Sequence, residues 1–263
     1  MGVIMSKKSA QKIAGWLMVG NTITYLFMIV INFLANYLPI NGVTTGEISE
    51  YYQNIFTPAG FTFAIWGIIY LLLLLLIVFL FRGLLRKNER IIQIIHKISG
   101  YLMISSLLNG AWIFSWHYDR IFLSLVIMLA LLVSLIQLNR SFNILPESGG
   151  IYRIPVSVYL SWITVATLAN ITVFAVSREW GQLGLPDEFW FVVLLLIVVI
   201  IAAVMILKQR DIAYGLVILW ALGGIFVARF SVGNGLTFPA VITLIAGLFV
   251  ITFLTAGMRK LVV

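Results

Sequence analysis

The chain contains no cysteine, which excludes a disulfide framework, a thiolate nucleophile and a sulfur-ligated metal centre. Its two histidines, His96 and His117, are too few for a histidine-rich metal site. On one helix they stand about 30 Å apart, so they share no ion, and each reads as an interfacial residue. Charge is scarce as well, at 10% of the residues, with only nine acids. No Walker or G-x-G-x-x-G phosphate loop, no H-E-x-x-H and no pair of carboxylates within an apolar run is present. Asp and Glu are missing from the centre of every apolar run, which counts against ion-coupled transport. No enzyme constellation remains, and the chain reads as a non-enzyme with no metal and no cofactor of its own.

What is abundant is apolar surface. Hydrophobic residues make up 62% of the 263, and the mean hydropathy is +1.10. A chain of this kind is a polytopic membrane protein. About 20 apolar residues cross a bilayer as a helix, and eight such runs are legible, at about 11–36, 60–81, 92–115, 120–139, 154–176, 189–207, 212–230 and 236–257. The predicted fold is an all-α bundle of eight transmembrane helices. The first run follows the basic "MGVIMSKKSAQK" with no small-residue cleavage site, so it reads as a retained helix rather than a removed signal. "MGVIMS" also fits the short, common pattern for myristoylation at Gly2.

The net charge of +8 would point to nucleic acid in a soluble protein. Here the Lys/Arg distribution explains it without such a partner. With the N-terminus in the cytoplasm, fourteen of the seventeen basic residues fall inside, and only Arg120, Arg178 and Arg229 fall outside. Glu47, Glu50, Asp119, Glu179, Asp187 and Glu188 lie outside. The expected location is therefore the cell membrane, with both termini cytoplasmic and membrane lipids as the surrounding partner. The connections are short and polar, except Leu38 to Ala59, an external loop containing Pro39, Gly42, Gly46 and Pro58. A connection of this length in a tight bundle is a lid or a spacer.

Within the spans, aromatic and amide residues share faces. Positions 0, 3 and 7 of a helix lie on one side. Phe63, Trp66 and Tyr70 have that spacing in the second span, Asn109, Trp112 and Trp116 in the third, and Tyr159, Trp162 and Ala166 in the fifth, which Asn170 extends. Trp66, Asn109, Asn170 and, in the first span, Asn32 each sit on the order of 10 Å into the outer leaflet. Amides at that depth face the bundle interior or a cavity. Rings beside amides make a wall suited to a flat, largely apolar ligand with a few polar atoms. Each residue also has a plainer reading: Trp116, Tyr118, Trp180 and Trp190 as an interfacial belt, Asn as interhelical glue, Asn21, Tyr25 and Trp220 as packing, Arg229 as a snorkelling side chain, and Asp119 with Arg120 as a solvated turn. Pro58 is expected at the start of the second span, with Gly60 allowing a close approach of the loop.

These segments resemble the TspO/translocator-protein family, the tryptophan-rich sensory proteins related to the benzodiazepine receptor. "TPAGFTFAIWGIIY" carries Pro58, Phe63, Trp66 and Tyr70; "LNGAW" carries Asn109 and Trp112; "YLSWITVATLAN" carries Tyr159, Trp162, Ala166, Thr167 and Asn170. The resemblance covers roughly residues 10–177 and implies a five-helix ligand-binding bundle at 11–177 with a lid loop at 38–59, preceded by a cytoplasmic tail at 1–10. The family is normally five helices, so residues 178–263 stand as three additional spans and a short tail. The resemblance implies a receptor, sensor or carrier for a porphyrin or sterol-like ligand, with a tetrapyrrole as ligand rather than cofactor, and admits a homodimer. Trp66, Trp112 and Trp162 would enclose the ligand, Asn109 and Asn170 would hydrogen-bond its polar edge, and Ala166 would leave it room. Ala59 and Gly60 stand where the family carries a second proline and aromatics. The alternative is a permease in which all eight spans shape a path for a small amphipathic substrate.

Overall fold

A computed structural model describes residues 6–38, 40–52, 54–143, 149–180, 184–232 and 235–262; the Gly2 pattern lies outside them. Eight long helices occupy the expected runs: α1 (Lys7–Tyr37), α3 (Ile65–Leu85), α4 (Glu89–His117), α5 (Ile121–Asn143), α6 (Gly149–Ser177), α7 (Asp187–Leu207), α8 (Ile212–Val232) and α9 (Phe238–Val262). All eight are long and apolar enough to cross a bilayer. Their boundaries follow from local chemistry. Ser6 caps α1 by accepting from the Ser9 amide, and Asn88 caps α4 by accepting from the Arg90 and Ile91 amides. Lys87, Asp119 and Arg210 hold left-handed backbone in the tight turns between spans.

Five of the helices close a ring. α1 packs on α4, α4 on α5, α5 on α6, α6 on α3, and α3 returns to α1. Small residues set the closest approach: the Phe27 ring of α1 covers Gly110 of α4, where a Cβ would fall 2.4 Å from Phe27 Cε1. The last three helices pack on one another, and α8 lies along α6.

A polar ladder fixes that junction. Ser157 Oγ donates to Asp211 Oδ2 at 2.7 Å, Ser161 Oγ to the Tyr214 carbonyl at 2.8 Å, and Tyr214 hydroxyl to Thr164 Oγ1 at 2.8 Å. Asp211 also caps α8 by accepting from the Tyr214 amide, and Arg153 Nη2 lies 3.3 Å from Asp211 Oδ2, an ion-pair contact rather than a well-aligned hydrogen bond. Asp211 is buried, so this pair holds only because its partners surround it.

The long first connection is structured. Asn41 and Gly42 turn the chain with left-handed backbone after α1. A short helix, α2 (Thr45–Tyr51), follows, started by a reciprocal capping box between Thr44 and Glu47. The chain then runs through Pro58 and extended Ala59 into a 3-10 turn, Gly60–Ala64, that leads into α3. Pro58 thus stands two residues ahead of the helical backbone rather than at its first position. The expected close approach at Gly60 is absent, since a Cβ there meets nothing within 4 Å. The close approach occurs instead at Gly224 of α8, where a Cβ would fall 2.0 Å from Thr62 Oγ1.

Candidate functional site

The aromatic faces converge under the loop. Trp66 stands at the centre. It stacks on Tyr70 (5.6 Å, 21°) and on Trp112 (6.3 Å, 29°) and meets Tyr159 (6.1 Å, 68°) and Trp162 (6.2 Å, 84°) edge-on. Phe63 meets Trp162 edge-on at 6.0 Å, and Trp112 stacks on Trp116 at 5.7 Å. Three helices, α3 with its lead-in turn, α4 and α6, therefore deliver their rings to one cluster because each repeats its aromatics at helical spacing.

Trp66 faces two spaces beside this cluster. An inner box, lined by Phe63, Trp66, Trp112, Trp162, Ala166 and Asn170 and roofed by Thr45, Ser49 and Pro58, holds about 40 Å³ of free volume. That is room for a water or two. An outer chamber of about 350 Å³ is lined by Asn32, Asn36, Thr44, Thr45, Gly46, Gly60, Phe63, Trp66 and Ile113. This is within the roughly 300–1,000 Å³ that small-molecule pockets occupy. Thr45, Phe63 and Trp66 line both, so these side chains are the partition.

The amides are engaged with the protein. Asn32 Nδ2 donates to Asn109 Oδ1 at 2.7 Å, and Asn109 Nδ2 donates to the Tyr159 hydroxyl at 2.9 Å, a buried relay across α1, α4 and α6. Asn170 Oδ1 accepts from Trp112 Nε1 at 3.3 Å and Ser124 Oγ at 2.9 Å, while its Nδ2 donates to the Ala166 carbonyl. In this arrangement Asn109 and Asn170 position rings. Among the box-lining indoles, that of Trp162 has its Nε1 buried without a hydrogen-bond partner. Tyr70 sits one turn below Trp66, and its buried hydroxyl is also unpartnered.

The roof is fastened from two sides. Trp116 Nε1 donates to the Thr45 carbonyl at 3.1 Å. His117 lies 3.1 Å (Nδ1) from the Ile40 carbonyl and 3.0 Å (Nε2) from Thr45 Oγ1. A carbonyl only accepts, so in the neutral ring Nδ1 carries the proton and Nε2 accepts from the Thr45 hydroxyl. Asn41 Nδ2 donates back to the His117 carbonyl. Trp116 and His117, at 3% and 1% exposure, are therefore parts of the roof's anchorage rather than interfacial residues. On the other side the Ala59 amide donates to the Gly224 carbonyl at 3.0 Å, Trp220 Nε1 to the Thr62 carbonyl at 2.9 Å, and Arg229 Nη2 to the Thr57 carbonyl at 3.4 Å. Trp220 and Arg229 thus hold the chain ahead of α3. At the loop's exposed flank Tyr52 donates to Asp119 at 2.5 Å. Burial first, and then the Asp119 carboxylate, push the Tyr52 hydroxyl up to about 12.

The contributions of Thr45, Ser49 and Pro58 to the box exceed what the helical pattern selects. Trp116 shares the face of Asn109 and Trp112, and that spacing was its one signal; near a helix end it is indistinguishable from a belt residue. Thr45 and Ser49 carry no signal of their own.

Eight bilayer-length helices, five of them in a ring around an aromatic cluster beneath a folded loop, define an all-α multi-pass membrane protein. The family described as TSPO-like protein matches residues 16–258, and the chain belongs to that family. The match continues through α7 and α8 and most of α9, so the last three spans fall within the family's pattern together with the first five. No match was found among curated proteins or among solved structures.

Proposed function

We propose that this protein is a membrane receptor or carrier for a flat hydrophobic ligand, porphyrin or sterol-like, held beneath the 38–59 loop in the outer half of α1 and α3–α6. The observation that carries the reading is the convergence of Phe63, Trp66, Trp112 and Trp162 on a roofed space in which one buried indole N–H is unpartnered. An unpaired buried donor is costly, and a ligand acceptor would satisfy it. The ligand enters the outer chamber and widens the box by turning the Phe63 and Trp66 partition, since both rings face both spaces. Asn109 and Asn170 then contribute by holding Tyr159 and Trp112 and by exchanging partners with the ligand's polar edge. The Lys/Arg distribution supports cytoplasmic termini and an external loop.

The test is a Soret-band titration of protoporphyrin IX into the detergent-purified chain and three variants. Trp66→Ala removes the central ring, Ala166→Leu fills the box, and Trp162→Phe keeps an aromatic ring while deleting the buried unpartnered donor. Each is expected to weaken binding by about tenfold or more. Wild-type affinity in all three would remove these residues from the site.

A further inference from the structure

A separate cavity, of about 390 Å³, lies between the end of α6, the start of α7 and residues 54–56 of the loop. It shares no lining residue with the aromatic box or the outer chamber. Its wall is mainly apolar, with Phe56 and Phe191 meeting edge-on at 6.3 Å, and its mouth carries Trp180, Trp190, Glu179 and Asp187.

The carboxylates give this cavity its chemistry. Asp187, in the first turn of α7, has a structural reason to be there, because a negative charge at a helix N-terminus is favourable. Glu179 has none. It follows the C-terminal end of α6, where the helix dipole disfavours an anion, and its backbone is left-handed at φ 49°. Neither residue takes part in the ion pairs found among the described residues, Lys7–Glu89 and Arg153–Asp211. The adjacent Arg178 is turned away, its guanidinium lying over the Phe174 ring at 5.6 Å, and Phe174 in turn faces Phe122 of α5. No basic residue lines the cavity.

We propose that this cavity binds an organic cation, an aryl- or alkylammonium with an apolar body, independently of the aromatic box. Two carboxylates with no ion-pair partner among the described residues draw the ammonium to the mouth, and Trp180 and Trp190 offer ring faces to it, an arrangement that favours quaternary ammonium over neutral groups of equal size. The apolar body occupies the space against Phe56 and Phe191. The same chemistry is carried by the choline headgroup of a lipid and by a free amine.

The experiment is calorimetric titration of benzyltriethylammonium into the full chain in maltoside detergent, with a neutral ether and a sulfonate of matched size as controls. The cation is expected to bind, the ether about tenfold more weakly and the sulfonate not at all. The isosteric Glu179→Gln/Asp187→Asn pair, both exposed positions, is expected to weaken the cation about tenfold and leave the ether unchanged. Trp180→Leu, also exposed, should weaken the cation severalfold. Equal affinity for cation, ether and sulfonate, or an unchanged cation affinity in the double amide, overturns the proposal. Added phosphatidylcholine identifies the source, competing with the cation if the natural occupant is a lipid headgroup and leaving its affinity unchanged if it is a free amine.

Discussion

Gly223 and Gly224 are neighbours on α8, yet the same substitution should have opposite effects at the two. Replacing glycine by alanine inside a helix gains about 0.5–1 kcal/mol from restricted backbone freedom. At Gly223 a Cβ meets nothing within 4 Å, so Gly223→Ala keeps that gain. At Gly224 a Cβ falls 2.0 Å from Thr62 Oγ1, 2.8 Å from Cγ2 and 2.9 Å from Cβ. Rotation about χ1 moves the first two atoms but not the third. Backbone must therefore separate, and it is held by the Ala59–Gly224 and Trp220–Thr62 hydrogen bonds. Overpacking of this kind costs about 1–3 kcal/mol, and a strained hydrogen bond adds about 1. The clash outweighs the helix gain, and Gly224→Ala should lose about 1–3.5 kcal/mol net in a mixed-micelle unfolding titration. Thr62 Oγ1 has no hydrogen-bond partner, so Thr62→Ala breaks no bond while removing the two most mobile contacts. In the double variant it should restore about 1 kcal/mol, measured as a coupling energy. Equal responses at the two glycines, or strictly additive effects of Gly224→Ala and Thr62→Ala, would refute the argument.

Three further outcomes are expected. Asp211→Ala leaves Arg153 unpaired and takes the acceptor from Ser157 and the Tyr214 amide, so it should lower stability by about 3–5 kcal/mol in the same titration, with Asp211→Asn costing less because it keeps the acceptor. Trp116→Phe deletes one donor to the roof, worth about 1 kcal/mol, and should raise amide exchange in α2 by roughly fivefold while leaving α4 unchanged. Tyr52, raised from 10.0 to about 12, should supply a tyrosinate absorbance step near pH 12 that Tyr52→Phe removes. Because its folded value is raised, the stabilisation it contributes is complete below pH 10 and disappears as pH rises to about 12.

The membrane spans were legible because the bilayer imposes a length and an apolar composition that no loop in this chain imitates. The aromatic face was legible for a similar reason: Phe63, Trp66, Asn109, Trp112, Trp162 and Asn170 stand at intervals that only a helix brings together. What those amides touch was not legible, since a partner such as Tyr159 for Asn109 depends on helix rotation, which periodicity leaves free by a residue or so. His117 was read as interfacial from its place at a helix end, and only the folded loop above it gives its ring two partners. Gly60 and Gly224 make the same point. Both are glycines beside turns or tight packing, and sequence favours the one in the loop. The close contact falls on the other, 162 positions along the chain from Thr62, because helix-to-helix proximity is set by the whole packing of α8 against α6.

That packing also relates the last three spans to the box. None of the residues lining the box comes from α7, α8 or α9. Yet Pro58 and Phe63, two of its walls, belong to the stretch that α8 holds through Gly224, Trp220 and Arg229. α8 in turn is tied to α6, which supplies Trp162, Ala166 and Asn170 from the opposite wall, by the ladder running through Asp211, Ser161 and Tyr214. The two walls, which touch through Phe63 and Trp162, are thus also braced by a third element that does not line the inner space. A five-helix ring alone would leave the Pro58–Phe63 wall anchored where the loop meets α2, where α3 begins and at the Phe63–Trp162 ring contact, and the backbone bond from Ala59 would lose its acceptor. α8 bears on the box by positioning its wall rather than by lining it, which is why a substitution at Gly224, outside the box, is expected to disturb it.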